Sequence, residues 1–169
     1  NSHCGGGYGG QGGSYGAASG GATYGSEEVP LQPGSAGGNW NTNAGGNGGG
    51  LIWLEVKHRL NLNGTLRANG SAATSTANAG GSGGGIYIKT RLFSGNGALS
   101  VKGGNAPGGG SGGGGRIAIW RVRDDPAPSE VTLDAANGIW GGNEKGANGE
   151  PGSVFWGYLP QEGTVLVIR

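Results

Sequence analysis

Few residues of this chain are of the types that catalyse reactions or bind metals, and the first two are His3 and Cys4. A histidine beside a cysteine could form the thiol–imidazole pair of a nucleophilic site. Side chains adjacent in sequence rarely face one another, however, and Cys4 is the only cysteine, which excludes an internal disulfide. The second histidine, His58, lies between Lys57 and Arg59, in a charged stretch typical of a solvated strand face. We therefore interpret these residues as structural.

The acidic residues add little to a catalytic or metal-binding interpretation. Asp124 and Asp125 could contribute to a Ca²⁺ site, which needs several oxygen ligands, but they directly precede Pro126 and fit a turn. The chain has only three Asp, too few for a calcium-binding repeat that needs one in each copy. No Gly-Lys-Ser/Thr phosphate loop occurs, and chance Gly-x-Gly-x-x-Gly matches carry no weight among 45 Gly. The sequence predicts no enzyme, no metal and no cofactor.

Two modification motifs and several large apolar side chains remain as candidate sites. Asn63-Gly-Thr65 and Asn69-Gly-Ser71 match the N-glycosylation motif, although asparagine in these positions also fits a turn with positive φ. Aromatic rings could stack on sugars or on a neighbouring copy, and the β-prone C-terminal residues could pair with another chain. The candidates are Asn63 and Asn69 for glycosylation, and Trp53, Trp120, Trp156, Val165 and Val167 for assembly or ligand stacking.

The composition limits the class of protein. The 169 residues include 45 Gly without the Gly-X-Y period of collagen. A net charge of +1 argues against charge-driven disorder and against nucleic-acid binding. The longest apolar run is about four residues, far short of the ~20 that span a bilayer, so the sequence excludes membrane insertion. Ordering so many glycines costs much conformational entropy, which predicts a marginal isolated protomer and favours an assembled state.

A repeat organises the central part of the chain. A glycine run followed by a short strand occurs three times, so that Ile52, Ile86 and Ile117 fall at equivalent positions 34 and 31 residues apart. A degenerate fourth copy places Val154 a further 37 residues on. After the strand, the first two copies share a second apolar element, in which Leu60 matches Phe93, Leu66 matches Leu99 and Ala68 matches Val101. Each unit is predicted to be strand, Asn/Gly turn, strand and glycine-rich return.

The repeat predicts an all-β fold with essentially no α-helix. We expect a glycine-rich parallel β-solenoid in which each repeat is one coil, equivalent isoleucines stack in an internal ladder and the glycine runs are extended returns. An antiparallel β-sandwich, with each repeat a hairpin, is the alternative. We divide the chain into a Gly/Tyr-rich N-terminal arm at 1–50, a β-repeat core at 51–123 and C-terminal strands at 124–169 that complete the same domain.

The order of the motifs resembles a broad family of glycine-rich repeats found in very large secreted and cell-surface proteins. The similar segments are Ser2-His-Cys-Gly-Gly, Gly49-Gly-Leu-Ile-Trp-Leu-Glu-Val56, Leu60-Asn-Leu-Asn-Gly-Thr-Leu-Arg-Ala-Asn-Gly70, Gly80-Gly-Ser-Gly-Gly-Gly-Ile-Tyr-Ile88, Gly112-Gly-Gly-Gly-Arg-Ile-Ala-Ile119 and Gly149-Glu-Pro-Gly-Ser-Val-Phe-Trp156. The resemblance covers most of the chain and implies an extracellular, parallel-β-helix-like surface module without an established enzymatic site. Cys4, where the family has Gly, and the divergent run 122–145 depart from the pattern.

These observations lead to a functional expectation. The leading hypothesis is a structural subunit of a secreted fibre, sheath or matrix that forms a homo-polymer through β-rich contacts. The alternative is a cell-surface adhesin or carbohydrate-binding module that binds glycans, and a third hypothesis is ice binding by a flat glycine-rich face. We expect a secreted or cell-surface location. The chain has no Met and begins at Asn1, which predicts an initiator Met and a leader upstream.

Overall fold

The computed structural model describes residues 3–39, 44–75, 77–124, 130–142 and 145–161. Within these ranges the chain forms strands, turns and extended segments, and no helix. The seven strands are β1 (Leu51–Asn61), β2 (Thr65–Arg67), β3 (Gly85–Ser94), β4 (Ala98–Ser100), β5 (Arg116–Asp124), β6 (Thr132–Asp134) and β7 (Ser153–Tyr158).

The strands form two parallel sheets. One has four strands in the order β1-β3-β5-β7, and the other has three in the order β2-β4-β6. Each strand pairs with its equivalent in the next repeat, and the short strand of each repeat crosses to the second sheet. Alternating apolar side chains explain this arrangement, because one face of each strand must be buried against the other sheet.

The strand register confirms the alignment of the repeats. Ile52 pairs with Ile86, Ile86 with Ile117, and Ile117 with Val154 in the four-stranded sheet. In the second sheet Leu66 pairs with Leu99, and Leu99 with Leu133. The third repeat therefore also has the second apolar element, although its sequence is too divergent to align by eye.

The core lies where these apolar rows meet. Its fully buried members come from the middle strands of both sheets and the residues next to them, namely Ile86, Ile88, Phe93, Leu99, Val101, Ile117 and Ile119. Large apolar side chains at equivalent positions of successive strands pack together between the sheets. Burial of such side chains is the main favourable contribution to folding in a chain with this much glycine.

The glycine-rich segments lie outside both sheets and bond to one another. Residues 5–13, 79–84 and 109–115, together called the glycine bundle, exchange backbone hydrogen bonds such as Gly113 N–H to Gly6 O at 2.9 Å and Gly83 N–H to Gly113 O at 2.9 Å. The segments approach so closely that a Cβ at Gly112 would overlap the carbonyl oxygen of Gly81. Glycine is therefore required here for close packing of backbones.

Both predicted architectures are wrong. The described chain forms two separate parallel sheets of unequal strand number, and this arrangement is not a solenoid. A solenoid needs each repeat to close one continuous coil, whereas the glycine segments leave the sheets and bond to the N-terminal segment, because backbones without Cβ atoms can pack directly together. The antiparallel sandwich is excluded because every pairing between the named strands is parallel.

The N-terminal residues are joined to the rest of the chain at several points. Gly6 N–H donates to Gly80 O at 2.9 Å, and Trp120 Nε1 donates to Glu28 O at 2.7 Å. The segment around Glu28 thus lies against the outward face of the four-stranded sheet, the face turned away from the core. The division at residues 50 and 123 stays a prediction, and backbone hydrogen bonds and strand pairing cross both boundaries.

Candidate assembly surfaces

The two outer strands of the four-stranded sheet expose part of their apolar side chains. In the middle strands the core-facing residues are fully buried. At the ends of the same rows, Ile52 and Leu54 of β1 are only half-buried, and Val154 and Trp156 of β7 are 42% and 37% exposed. These two strands are called the β1 edge and the β7 edge. The rows of core side chains end at them without being fully buried.

The backbone hydrogen bonding of each edge strand is also incomplete. Within the described residues, β1 pairs only with β3, and β7 only with β5. Successive residues of a parallel strand direct their N–H and C=O groups to opposite neighbours, so about half of these groups at each edge face outward. An edge of this kind is a template for pairing with another strand.

Trp53 lies on the β1 edge and is 53% exposed. Its Nε1 donates to Glu55 Oε1 at 3.0 Å, and its ring packs edge-on against Tyr87 with the centroids 5.9 Å apart. Burial, followed by the negative charge of Glu55, raises the pKa of Tyr87 above its ordinary value. The structure thus places Trp53 where its free ring face could contact a ligand or another copy.

Trp156 lies on the β7 edge, in the row that contains Leu54. The guanidinium carbon of the buried Arg121 is 4.6 Å from the Trp156 ring centroid and 4.3 Å from that of Tyr158. On the core side, Phe93 packs edge-on against Trp156 at 5.7 Å. These contacts fix both aromatic side chains along the edge, which reduces the entropy that a partner strand would have to remove on binding.

Trp120 has a role that differs from the sequence expectation. Besides donating to Glu28 O, its ring lies 5.2 Å from Phe155 and so close to Gly157 that a Cβ there would overlap it. Both its polar group and one ring face are therefore used within the chain. Of the three tryptophans considered for stacking, Trp53 and Trp156 lie on the edges, and Trp120 holds the N-terminal segment against the sheet.

An open groove of about 690 Å³ is lined by residues of β1, β3 and β5 and by the residues that follow β7. Lys57 and Lys89 line it together with Val122 and Leu159. Neither lysine forms an ion pair with any residue of the described chain. The groove therefore combines apolar side chains with charged ones of both signs, among which the cations outnumber the single carboxylate of Glu55.

The two glycosylation candidates are both exposed. Asn63 Oδ1 accepts a long hydrogen bond of 3.4 Å from Asn96 N–H, whereas Asn69 Oδ1 accepts from Ser100 Oγ at 2.8 Å and from Lys102 N–H at 2.9 Å. The positive φ expected near these turns belongs to Gly95 at 124°, and not to the glycine that follows Asn63. Val165 and Val167 lie outside the described residues.

The residues first considered for chemistry are used in packing. The His3 ring lies 4.5 Å from that of Tyr15, and its Nδ1 contacts Ala77 O. Buried Cys4 donates from Sγ to Ala18 O at 3.3 Å. No group of three or more His, Cys, Asp or Glu side chains converges within the part of the chain that the structure describes. Asp124 ends β5, and Asp125 lies outside the described residues.

Sequence reasoning missed the two buried arginines, Arg116 and Arg121. Arg116 donates to Tyr24 O at 3.1 Å, to Glu27 Oε1 at 3.1 Å and to Ser153 Oγ at 3.0 Å. The available signal was the presence of two arginines, five residues apart, in the otherwise apolar stretch 116–122. Charged residues in such a strand need buried partners.

Comparison with known proteins gives no matching family model, no similar curated protein and no similar solved structure. The family resemblance described from the sequence motifs therefore stays a prediction. Among the described residues, no helix has the length and apolar character needed to cross a bilayer.

Proposed function

We propose that this protein is a non-enzymatic structural subunit of a secreted fibre, sheath or matrix at or outside the cell surface, and that copies assemble through strand contacts. The observation that carries the proposal is that the same rows of core side chains end, incompletely buried, at both the β1 edge and the β7 edge. A second copy placed against either edge would cover half-buried apolar side chains and pair outward-facing backbone groups.

The physical driving force is burial of the end rows. Each fully buried aliphatic or aromatic side chain contributes about 1.5–3 kcal/mol, and Val154 and Trp156 have reached only part of that burial. The strands supply their backbone hydrogen bonds in the same contact. Because the two edges differ, their contact is heterologous, and a heterologous contact repeats into a filament unless its rotation closes a ring.

The test compares assembly of the wild-type chain with that of two lysine variants. Val154→Lys places a charge in the exposed end row, whereas Val29→Lys is the matched control, because Val29 is similarly exposed at 39% and belongs to neither edge strand. We expect wild type and Val29→Lys to form filaments in electron micrographs and to sediment. We expect Val154→Lys to remain monomeric with unchanged circular dichroism. A wild-type chain that stays monomeric at millimolar concentration, or a Val154→Lys chain that assembles normally, would overturn the proposal.

A second candidate function is glycan binding by a cell-surface adhesin. It is favoured by the exposed Trp53 ring, whose hydrogen-bond partner Glu55 lines the groove that contains Lys57 and Lys89, since aromatic faces stack on sugars and lysines attract acidic ones. The test is a glycan array probed with the monomeric Val154→Lys chain. Saturable binding that is lost in Trp53→Ala, and retained when the exposed Ile139 is replaced by Ala, supports this function; unchanged binding by Trp53→Ala contradicts it.

A further inference from the structure

We propose that the β7 edge of one copy pairs in parallel with the β1 edge of the next, with Ser153 opposite Leu51. This inference rests on the proposed assembly and specifies the partner as a second copy of this chain in one register. It continues the existing order of the sheet, in which Leu51, Gly85, Arg116 and Ser153 already occupy equivalent positions of the four strands.

The alternating direction of the backbone N–H and C=O groups along each edge strand restricts the register. Gly85 N–H donates to Gly50 O at 3.1 Å, so the even-numbered residues of β1 face β3 and the odd-numbered ones face outward. Ser153 N–H donates to Gly115 O at 3.1 Å, so in β7 the odd-numbered residues face β5 and the even-numbered ones face outward. With Ser153 opposite Leu51, the outward groups of both edges meet. A shift of one residue would direct these groups to carbonyls and amides that are already paired.

The lengths of the strands select this register over a shift of two residues. The pairing of β1 with β3 is regular from Leu51 to Val56 and then shifts at an irregularity before Arg59. This regular stretch has six residues, as does β7 from Ser153 to Tyr158. Only the proposed register pairs all six with all six. Sliding β7 two residues along β1 in one direction leaves two residues unpaired, and sliding it in the other crosses the irregularity.

The side chains of the two edges also match in this register. Val154 meets Ile52 and Trp156 meets Leu54 of the next copy, which extends the two core rows. On the outward face, Phe155 meets Trp53. Aromatic rings in adjacent strands of this face already pack at 5.9 Å for Trp53 with Tyr87, and at 5.2 Å for Trp120 with Phe155. The new contact would therefore add an aromatic pair of a kind that the sheet already contains.

The smaller sheet cannot supply the contact in place of β7. The strands β1 and β2 belong to the same repeat and therefore lie at the same level of the two sheets. If β2 of the next copy paired with β6, β1 of that copy would have to occupy the position that β7 already fills. The contact between copies is therefore assigned to the four-stranded sheet. Among the described residues, β6 and β2 of the next copy then do not pair, because the position of one further strand, about 4.8 Å wide, lies between them.

The experiment is cross-linking between two differently labelled chains in a Cys4→Ala background. One chain carries Leu51→Cys and the other Ser153→Cys, and the mixture is assembled and treated with a short bifunctional thiol reagent. We expect a covalent heterodimer from this mixture and at least a tenfold lower yield when Trp53→Cys replaces Leu51→Cys, which tests the shift of two residues. Because Ser153 bonds to Arg116, the pair Val56→Cys with Tyr158→Cys provides a second probe of the same register.

The outcomes separate this inference from the proposed function. Filaments with cross-links at both in-register pairs support the register. Filaments that cross-link more efficiently through Trp53→Cys, or at neither in-register pair, overturn the register and leave assembly intact. A mixture in which no chain assembles contradicts the proposed function itself.

Discussion

The guanidinium carbon of Arg116 lies 5.6 Å from the centroid of the Tyr8 ring, which joins the first strand residue of β5 to the N-terminal segment 108 residues earlier. Both side chains are buried. Burial raises the pKa of the Tyr8 hydroxyl above its ordinary value, and the positive charge of Arg116 opposes that effect. Arg116 therefore links the glycine bundle, the N-terminal segment and the four-stranded sheet.

Removal of this cation is expected to cost more than removal of its acidic partner. Arg116→Ala should lower the free energy of unfolding by about 1–3 kcal/mol, because it leaves partly buried acceptors, including Tyr24 O, without a donor. Glu27→Gln should change it by less than about 1 kcal/mol, since the Glu27 side chain is 64% exposed. Urea denaturation measures both. Equal losses in the two variants would show that the ion pair, and not the buried guanidinium, is the stabilising element.

The glycine bundle predicts a strong dependence on position for glycine-to-alanine substitutions. Gly112→Ala should lower the free energy of unfolding by about 3 kcal/mol or more, because the new Cβ overlaps the backbone of Gly81 and no flexible side chain can move away. Gly64→Ala is the matched control, since its Cβ would meet nothing and φ is not in the left-handed region. It should be neutral or stabilise by up to about 1 kcal/mol.

Thermal and urea unfolding of the two alanine variants would decide the matter. Equal tolerance at Gly112 and Gly64 would contradict the close packing of the glycine segments and would indicate that these segments act as linkers. A loss at Gly112 alone would explain why the chain retains so many glycines despite their entropic cost.

The register of the sheets could be predicted from the sequence, and the way they are connected could not. Equivalent isoleucines such as Ile52 and Ile86 have matched neighbours, so the spacing alone aligns them. A glycine run has no side chains, and its sequence does not encode which other run it bonds to. The bond from Gly113 to Gly6 therefore depends on the whole folded chain, and this is why the predicted solenoid was wrong.

The candidate sites were predictable only in part for a related reason. The alternation of Ile52 and Leu54 with Trp53 along the strand predicts that Trp53 points to the opposite face from these two apolar residues. It could not show that Trp120 is held by Glu28 O, because that contact joins residues 92 positions apart. The Asn/Gly turn of each repeat was expected to supply the residue with positive φ, whereas in the second repeat this residue is Gly95, which directly precedes the dipeptide Asn96-Gly97.

Acid should weaken the second sheet through Asp134. Burial alone would raise the pKa of this carboxyl group, but the hydrogen bond and charge of Lys102, whose Nζ lies 2.7 Å away, together with the Ala136 N–H, lower it. A lowered pKa in the folded state contributes stability at pH values above the unfolded pKa of about 3.9, and this contribution is lost as the pH falls below it. The free energy of unfolding should therefore decrease below about pH 4.

The variant Asp134→Asn isolates this contribution from that of other acidic groups. Its free energy of unfolding should be lower than that of wild type at neutral pH, and the difference between the two proteins should shrink as the pH is lowered from 5 to 2. Lys102→Met should show the same convergence, because it removes the partner. A constant difference between wild type and Asp134→Asn across this range would exclude a role for the charge of Asp134.

The two asparagines of the glycosylation motifs are expected to differ in their structural importance. Asn69→Ala should lower the free energy of unfolding by about 1 kcal/mol, because Asn69 Oδ1 accepts two short hydrogen bonds from the neighbouring strand region, at Ser100 and Lys102. Asn63→Ala should cost less than about 0.5 kcal/mol, since its single hydrogen bond is long and exposed. Urea denaturation of the unglycosylated chain gives both values. The reverse order would identify Asn63 as the structural residue and Asn69 as the side chain that is free to carry a glycan.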